Sequence, residues 1–181
     1  MEKFKAFCKR KNIEVSAKRY GIDALGAMAQ GLFCSLLIGT IIKTLGAQLG
    51  VPFLTDIGTY AMSVSGPAMA VAIGYALQAP PLVLFSLVAV GGAANTLGGA
   101  GGPLAVFVLA IIAAELGKLV SKKTKVDIIV TPLVTIFSGC GLAYLFAPYI
   151  GTAASSVGNL IMWATTQQPF LMLSLIHISE P

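Results

Sequence analysis

A chain of 181 residues that is 56% apolar and only 10% charged departs from the soluble pattern, in which roughly a quarter of residues are charged. Its mean hydropathy of +0.87 excludes water as the solvent for most of its surface. The formal charge of +5 sits in blocks at the edges of apolar segments, so phospholipid headgroups are the expected anionic neighbours and nucleic acid is not an expected partner.

The N-terminal segment, residues 1–19, carries Lys3, Lys5, Lys9, Arg10, Lys11, Lys18 and Arg19 among Phe4, Phe7, Cys8, Ile13 and Val15. At helical spacing Phe4, Phe7 and Cys8 share a face, which reads as an amphipathic helix at the membrane surface; a disordered basic tail is the alternative. The segment lacks the short apolar core and small-residue site of a cleaved signal.

Residues 20–173 read as an all-α, polytopic transmembrane bundle of about five to six helices, since a crossing needs about 20 apolar residues. Helix one is expected over Ala24–Ile42, with Lys43 at its far edge and Asp23 as a cap. After a turn containing Gly50, Pro52 and Asp56, helix two is expected over Ile57–Leu77, ended by Pro80 and Pro81. Small residues recur every fourth position as Ala27, Gly31, Ser35 and Gly39, then as Gly66, Ala70 and Gly74, a spacing that lets helix backbones approach closely.

Helices three and four are expected over Leu82–Leu97 and Leu104–Val120 around a glycine-rich turn, with a basic cluster at Lys118, Lys122, Lys123 and Lys125. Helix five is expected over Val126–Tyr149, with Asp127 free to pair with Lys123 or Lys125, and a sixth segment over Val157–Thr166 around Trp163. Four crossings return the chain to its starting side, placing both basic blocks in the cytoplasm. Reading Leu82–Gly102 as a re-entrant loop would leave three and put the second block outside.

Polar groups at membrane depth are the candidate solute contacts, because burying them unpaired costs several kcal/mol. Asn95 offers a donor and an acceptor beside Gly91, Gly92, Gly98 and Gly99, where the backbone is expected to unwind next to a cavity; a capping amide is the plainer alternative. Glu115 is either a solute or proton site or one half of an i,i+3 pair with Lys118 that snorkels to the membrane surface. Gln30 and Asn159 are weaker versions of the same idea, each equally readable as an interhelical hydrogen bond.

Phosphoryl relay would need a reactive histidine or cysteine, and the chain offers little. The only histidine, His177, lies in the tail and is assigned no role; Cys8 has basic neighbours that favour a thiolate, yet reads as an incidental surface thiol. Cys8, Cys34 and Cys140 show no metal-ligand spacing, and no cofactor or metal is expected. No catalytic residue is identified.

Three strings carry a resemblance to a known family: Arg19 to Phe33 (RYGIDALGAMAQGLF), Val126 to Pro132 (VDIIVTP) and Asn159 to Thr165 (NLIMWAT). The chain resembles the sugar phosphotransferase-system subunit IIC, type 2 family over nearly its whole length to about Met172. The resemblance implies a bacterial inner-membrane channel for a sugar or similar small polar solute, partner IIA and IIB subunits that carry the phosphate, and a homodimer surrounded by lipid. Family members are about twice as long, so a truncated N-terminal half is expected, and residues 174–181 resemble a translated sequencing adapter, a non-native tail. The rival reading is a membrane sensor or ligand-binding scaffold that transports nothing; a membrane enzyme is disfavoured for want of paired carboxylates or a catalytic histidine.

Overall fold

The computed structural model describes Ser16, residues 18–123 and residues 126–167. The expected N-terminal amphipathic helix before Ser16, Lys125, His177 and the tail from Ser174 lie outside the described residues. Every element among the described residues is helical.

Helix one begins earlier than expected, in a π-helical turn at Lys18–Asp23, continues as α1 (Ala24–Leu32), passes a second π-helical turn at Phe33–Leu37, and ends as α2 (Ile38–Leu49). Asp23 makes no side-chain capping bond, because the backbone is already helical on both sides of it. The second π turn shows in the hydrogen bonding. Buried Ser35 donates its hydroxyl to the Gly31 carbonyl at 2.7 Å, and the Ile38 N–H reaches back five residues to Phe33.

Gly50, at φ +67°, reverses the chain into α3 (Pro52–Ser63), with Pro52 in the first turn where its missing N–H costs nothing. The expected loop around Asp56 is therefore already helix. After Val64 the chain bends by 47° into α4 (Ser65–Ala76). Pro67 in the first turn of α4 has no N–H to offer the Ser63 carbonyl, and so the two halves do not merge into one straight helix.

Helices α5 (Pro81–Gly98) and α6 (Gly102–Val120) flank a short 3₁₀ turn at Gly99–Gly101, as the glycine run predicts. They form an antiparallel hairpin: a Cβ at Gly117 would lie 2.7 Å from Val83, and one at Gly98 would lie 2.9 Å from Ala105. At 1.5 Å per residue each arm is about 27 Å long, close to the thickness of a bilayer core.

The last helix, α7 (Asp127–Gln167), is continuous where two helices were expected, and it runs through Pro132 and Pro148. No glycine–proline break follows Tyr149. The polar residues there fold back on their own helix, Thr152 onto Pro148, Ser155 onto Gly151 and Ser156 onto Thr152, each at 2.9 Å, so their hydroxyls are satisfied within it.

Three helical stretches, Lys18–Leu49, Pro81–Val120 and Asp127–Asn159, are long and apolar enough to cross a membrane, and the bent α3–α4 pair makes a fourth. Because Pro81–Val120 reverses at Gly99, it supplies two arms. The core is built from α1, α4, α5, α6 and the first half of α7, with Met69, Ile73, Leu87, Val90, Val106 and Leu109 buried at its centre. Outside it, Phe33, Phe53, Phe85 and Phe137 are more than half exposed, the outward apolar surface of a membrane protein.

Candidate functional site

The polar groups singled out by sequence fall at two ends of the α5–α6 hairpin. At the turn end, Asn95 sits one turn before the end of α5, inside the helix, so it is no N-terminal cap. Its side chain fills a junction made by glycines on two other helices. A Cβ at Gly66 of α4 would lie 2.5 Å from the Asn95 Cβ, and one at Gly102 of α6 would lie 2.5 Å from Asn95 Oδ1. Only glycine admits the amide this closely from both sides.

The expected unwinding is narrower than the sequence suggested. Gly91 and Gly92 remain in regular α5 helix, and Gly98 keeps helical angles. Gly91 serves contact instead: its Cα faces the Gly66 carbonyl so closely that no side chain fits between them. The chain leaves helical geometry at Gly99, with φ +51° and ψ −123°, a conformation that L side chains rarely adopt, and departs from it again at Gly101 with φ −93° and ψ 15°. Around Gly99, Gly98 and Gly101 receive Gly151 and Ala154 of α7, docking the hairpin turn against that helix through backbone contacts.

At the other end, Lys118 is 1% exposed and does not snorkel. Its Nζ lies 2.7 Å from Glu115 Oε1 and donates to the Leu77 carbonyl at 3.1 Å. Arg19 Nη2 donates to the same carbonyl at 2.7 Å. Leu77 is where α4 has ended, and Gln78 at φ 54° turns the chain away, so this carbonyl has lost its helical partner. Two cations from helix one and α6 thus close the negative end of α4. Glu115 Oε2 is buried without a hydrogen-bond partner among the described residues.

Nearby, Asp127 Oδ1 accepts from the Lys122 backbone N–H at 2.7 Å and from Thr131 Oγ1 at 2.6 Å, fixing the turn between α6 and α7. Lys18, Arg19, Lys118, Lys122 and Lys123 therefore share one end of the bundle, as the crossing count requires.

The two groups do not converge. From Gly102, beside Asn95, to Glu115 is about 20 Å of helix. Val90, Ala94, Val106, Ala110 and Ala113 fill the space between with no exposure. Gln30 and Asn159 are exposed on α1 and α7 and are not brought to Asn95. Two depressions lie on the first hairpin, one of about 330 Å³ lined by Gly46, Gly50, Pro52, Thr55 and Asp56, another of about 270 Å³ by Leu37, Thr40, Ile41, Thr44 and Leu45. Among the described residues no group of three His, Cys, Asp or Glu side chains could hold a metal ion.

Sequence reasoning missed Arg19 and the Leu77 carbonyl. The prolines at 80 and 81 did mark a helix end, and hence a carbonyl needing a donor, but nothing local ties position 19 to position 77.

A family model described as "Phosphotransferase system, EIIC" matches residues 22–179. The chain belongs to the phosphotransferase system EIIC family. It is accordingly a membrane component of a sugar phosphotransferase system, a family whose members work on sugars together with other components of that system. No curated protein and no solved structure matches the chain.

Proposed function

We propose that this EIIC protein passes a sugar or similar small polyol across the bacterial inner membrane, with its basic end, Lys18–Arg19 and Lys118–Lys123, in the cytoplasm, and that the α5–α6 turn contacts the solute. The observation that carries the reading is Asn95, a half-buried amide held between Gly66 and Gly102 at the point where the hairpin reverses. An amide presents two donors and two acceptor lone pairs, which suits vicinal hydroxyls, and Gly99 and Ala100 beside it are exposed. Glu115, committed to Lys118, belongs on this reading to the closure of the cytoplasmic end and not to the solute site.

In purified protein reconstituted into nanodiscs, binding of radiolabelled glucose, mannitol and galactitol is expected for at least one of the three, and to fall at least about tenfold in Asn95→Ala and Asn95→Leu, the loss of one or more hydrogen bonds. If both variants bind as the parent does, the amide is structural. Orientation is tested separately by a cysteine at Lys123, which an impermeant thiol reagent should fail to label from outside intact cells.

One observation favours the sensor alternative. The packed apolar stretch between Asn95 and Glu115 offers no polar path along the hairpin, as a closed ligand-binding scaffold would have it. A transporter in an occluded state has the same appearance, and sugar uptake into proteoliposomes separates the two.

A further inference from the structure

Helix one carries its second π turn at the level where helix two bends. Gly31 packs against the backbone of Ala68 and Met69 below the break, whereas Gly39 packs against Gly58 and Met62 above it. The π turn at Phe33–Leu37 therefore stands beside the 47° bend at Val64. In helix two Pro67 withholds its N–H from the Ser63 carbonyl, and beside it in helix one the Ile38 N–H reaches back to Phe33.

Above the breaks, α2 and α3 hold tightly to each other. Cβ atoms at Gly46 and Gly58 would lie 2.5 Å from the Thr55 and Lys43 backbone nitrogens, and Thr40 Oγ1 reaches Met62 Sδ at 3.8 Å. The main contacts of α2 and α3 are with one another and with the π turn, while α1 and α4 are packed into the bundle. A pair of helices closely packed within itself, with few contacts to the other described helices and joined to them through a π turn and a bend at one level, has the anatomy of a hinged unit.

We infer that the α2–α3 hairpin is an arm that rocks as a rigid body about the π turn at Phe33–Leu37 and the bend at Val64. The movement has a route to the hairpin turn, because Gly66, two residues past the bend, carries the contact with Asn95 and Gly91. That the arm thereby governs solute access rests on the reading of Asn95 given above; the hinge itself does not.

The test is electron–electron distance measurement on the full chain in nanodiscs, with native cysteines replaced by serine. Spin labels go at Phe53 on the arm and Phe137 on α7, both exposed, with Phe85 and Phe137 as a pair within the bundle. Without any solute, the 53–137 distribution is expected to be at least about twofold wider than the 85–137 distribution, as a hinge requires. Replacing Pro67→Ala supplies the missing N–H for the Ser63 carbonyl and should narrow 53–137 toward the 85–137 width. Equal widths in the parent overturn the hinge, and so does a Pro67→Ala variant as broad as the parent. Asn95→Ala separates the two ideas: lost sugar binding with an unchanged 53–137 distribution supports both the solute contact and the hinge, and retained binding removes only the former.

Discussion

The α5–α6 hairpin and the α2–α3 hairpin are both pairs of antiparallel helices zipped by glycine, yet they are held in opposite ways. The first is surrounded, with α4 on one flank and α7 on the other, and its interior positions Val83, Leu87, Val90, Val106 and Leu109 are buried. The second is paired chiefly with itself among the described residues, and leaves Ile38, Ile41, Leu45, Leu49, Phe53, Ile57 and Tyr60 exposed. Glycine contacts alone thus build a hairpin, but only burial on further faces fixes it in place.

The contrast predicts a graded set of costs. The largest falls at the closed end: Lys118→Ala strands Glu115 in a buried position and should cost about 3–5 kcal/mol. Thermal unfolding in detergent should show the deficit, and Lys118→Met combined with Glu115→Gln should recover most of it, because no charge is then left unpaired. A double variant no better than the single would mean that packing, not charge pairing, holds this end.

Next comes Gly91→Ala, which thrusts a methyl against the Gly66 carbonyl and the Ala70 side chain and should cost about 1–3 kcal/mol in the same assay. Gly99→Ala is expected to cost about 1–2 kcal/mol for a different reason, since a Cβ there meets nothing within 4 Å and the whole penalty is backbone strain at φ +51°. The smallest effect belongs to the arm: Phe53→Ala, on a 69% exposed side chain, should stay within about 0.5 kcal/mol. An arm variant as costly as Gly91→Ala would erase the distinction between the two hairpins.

Much of this architecture was legible in the sequence because its signals are local. The glycine run at 98–102 gave the hairpin, uncharged stretches gave the apolar helices, and the small-residue spacing at Gly31, Gly39 and Gly66 gave the close contacts. The family resemblance, carried by whole strings of residues, is matched by the family model. What escaped was non-local or a matter of hydrogen-bond competition. Whether Thr152, Ser155 and Ser156 end a helix or sit within it depends on where their hydroxyls turn, and here they turn back onto α7 itself. Likewise the burial of Lys118 depends on a carbonyl 41 residues earlier in the chain.

Around Asn95 the structure gives the glycines a different part from the one expected of them. Gly91 was expected to loosen α5, and instead it brings α4 into contact with it; Asn95 was expected beside freed backbone, and instead it is gripped by glycines of two other helices. The grip explains how an amide can be placed reproducibly at the hairpin reversal.

Whether that placement serves a solute is tested most directly by protection of the hairpin turn. A cysteine at Thr96, exposed and next to Asn95, is introduced into a cysteine-free background and alkylated in nanodiscs with and without saturating mannitol, galactitol or glucose. A cysteine at Val108, exposed halfway along α6, is the control. A sugar that the protein binds should slow alkylation at Thr96 by at least about fivefold and leave Val108 unchanged, whereas equal rates at Thr96 with and without a bound sugar would contradict the account.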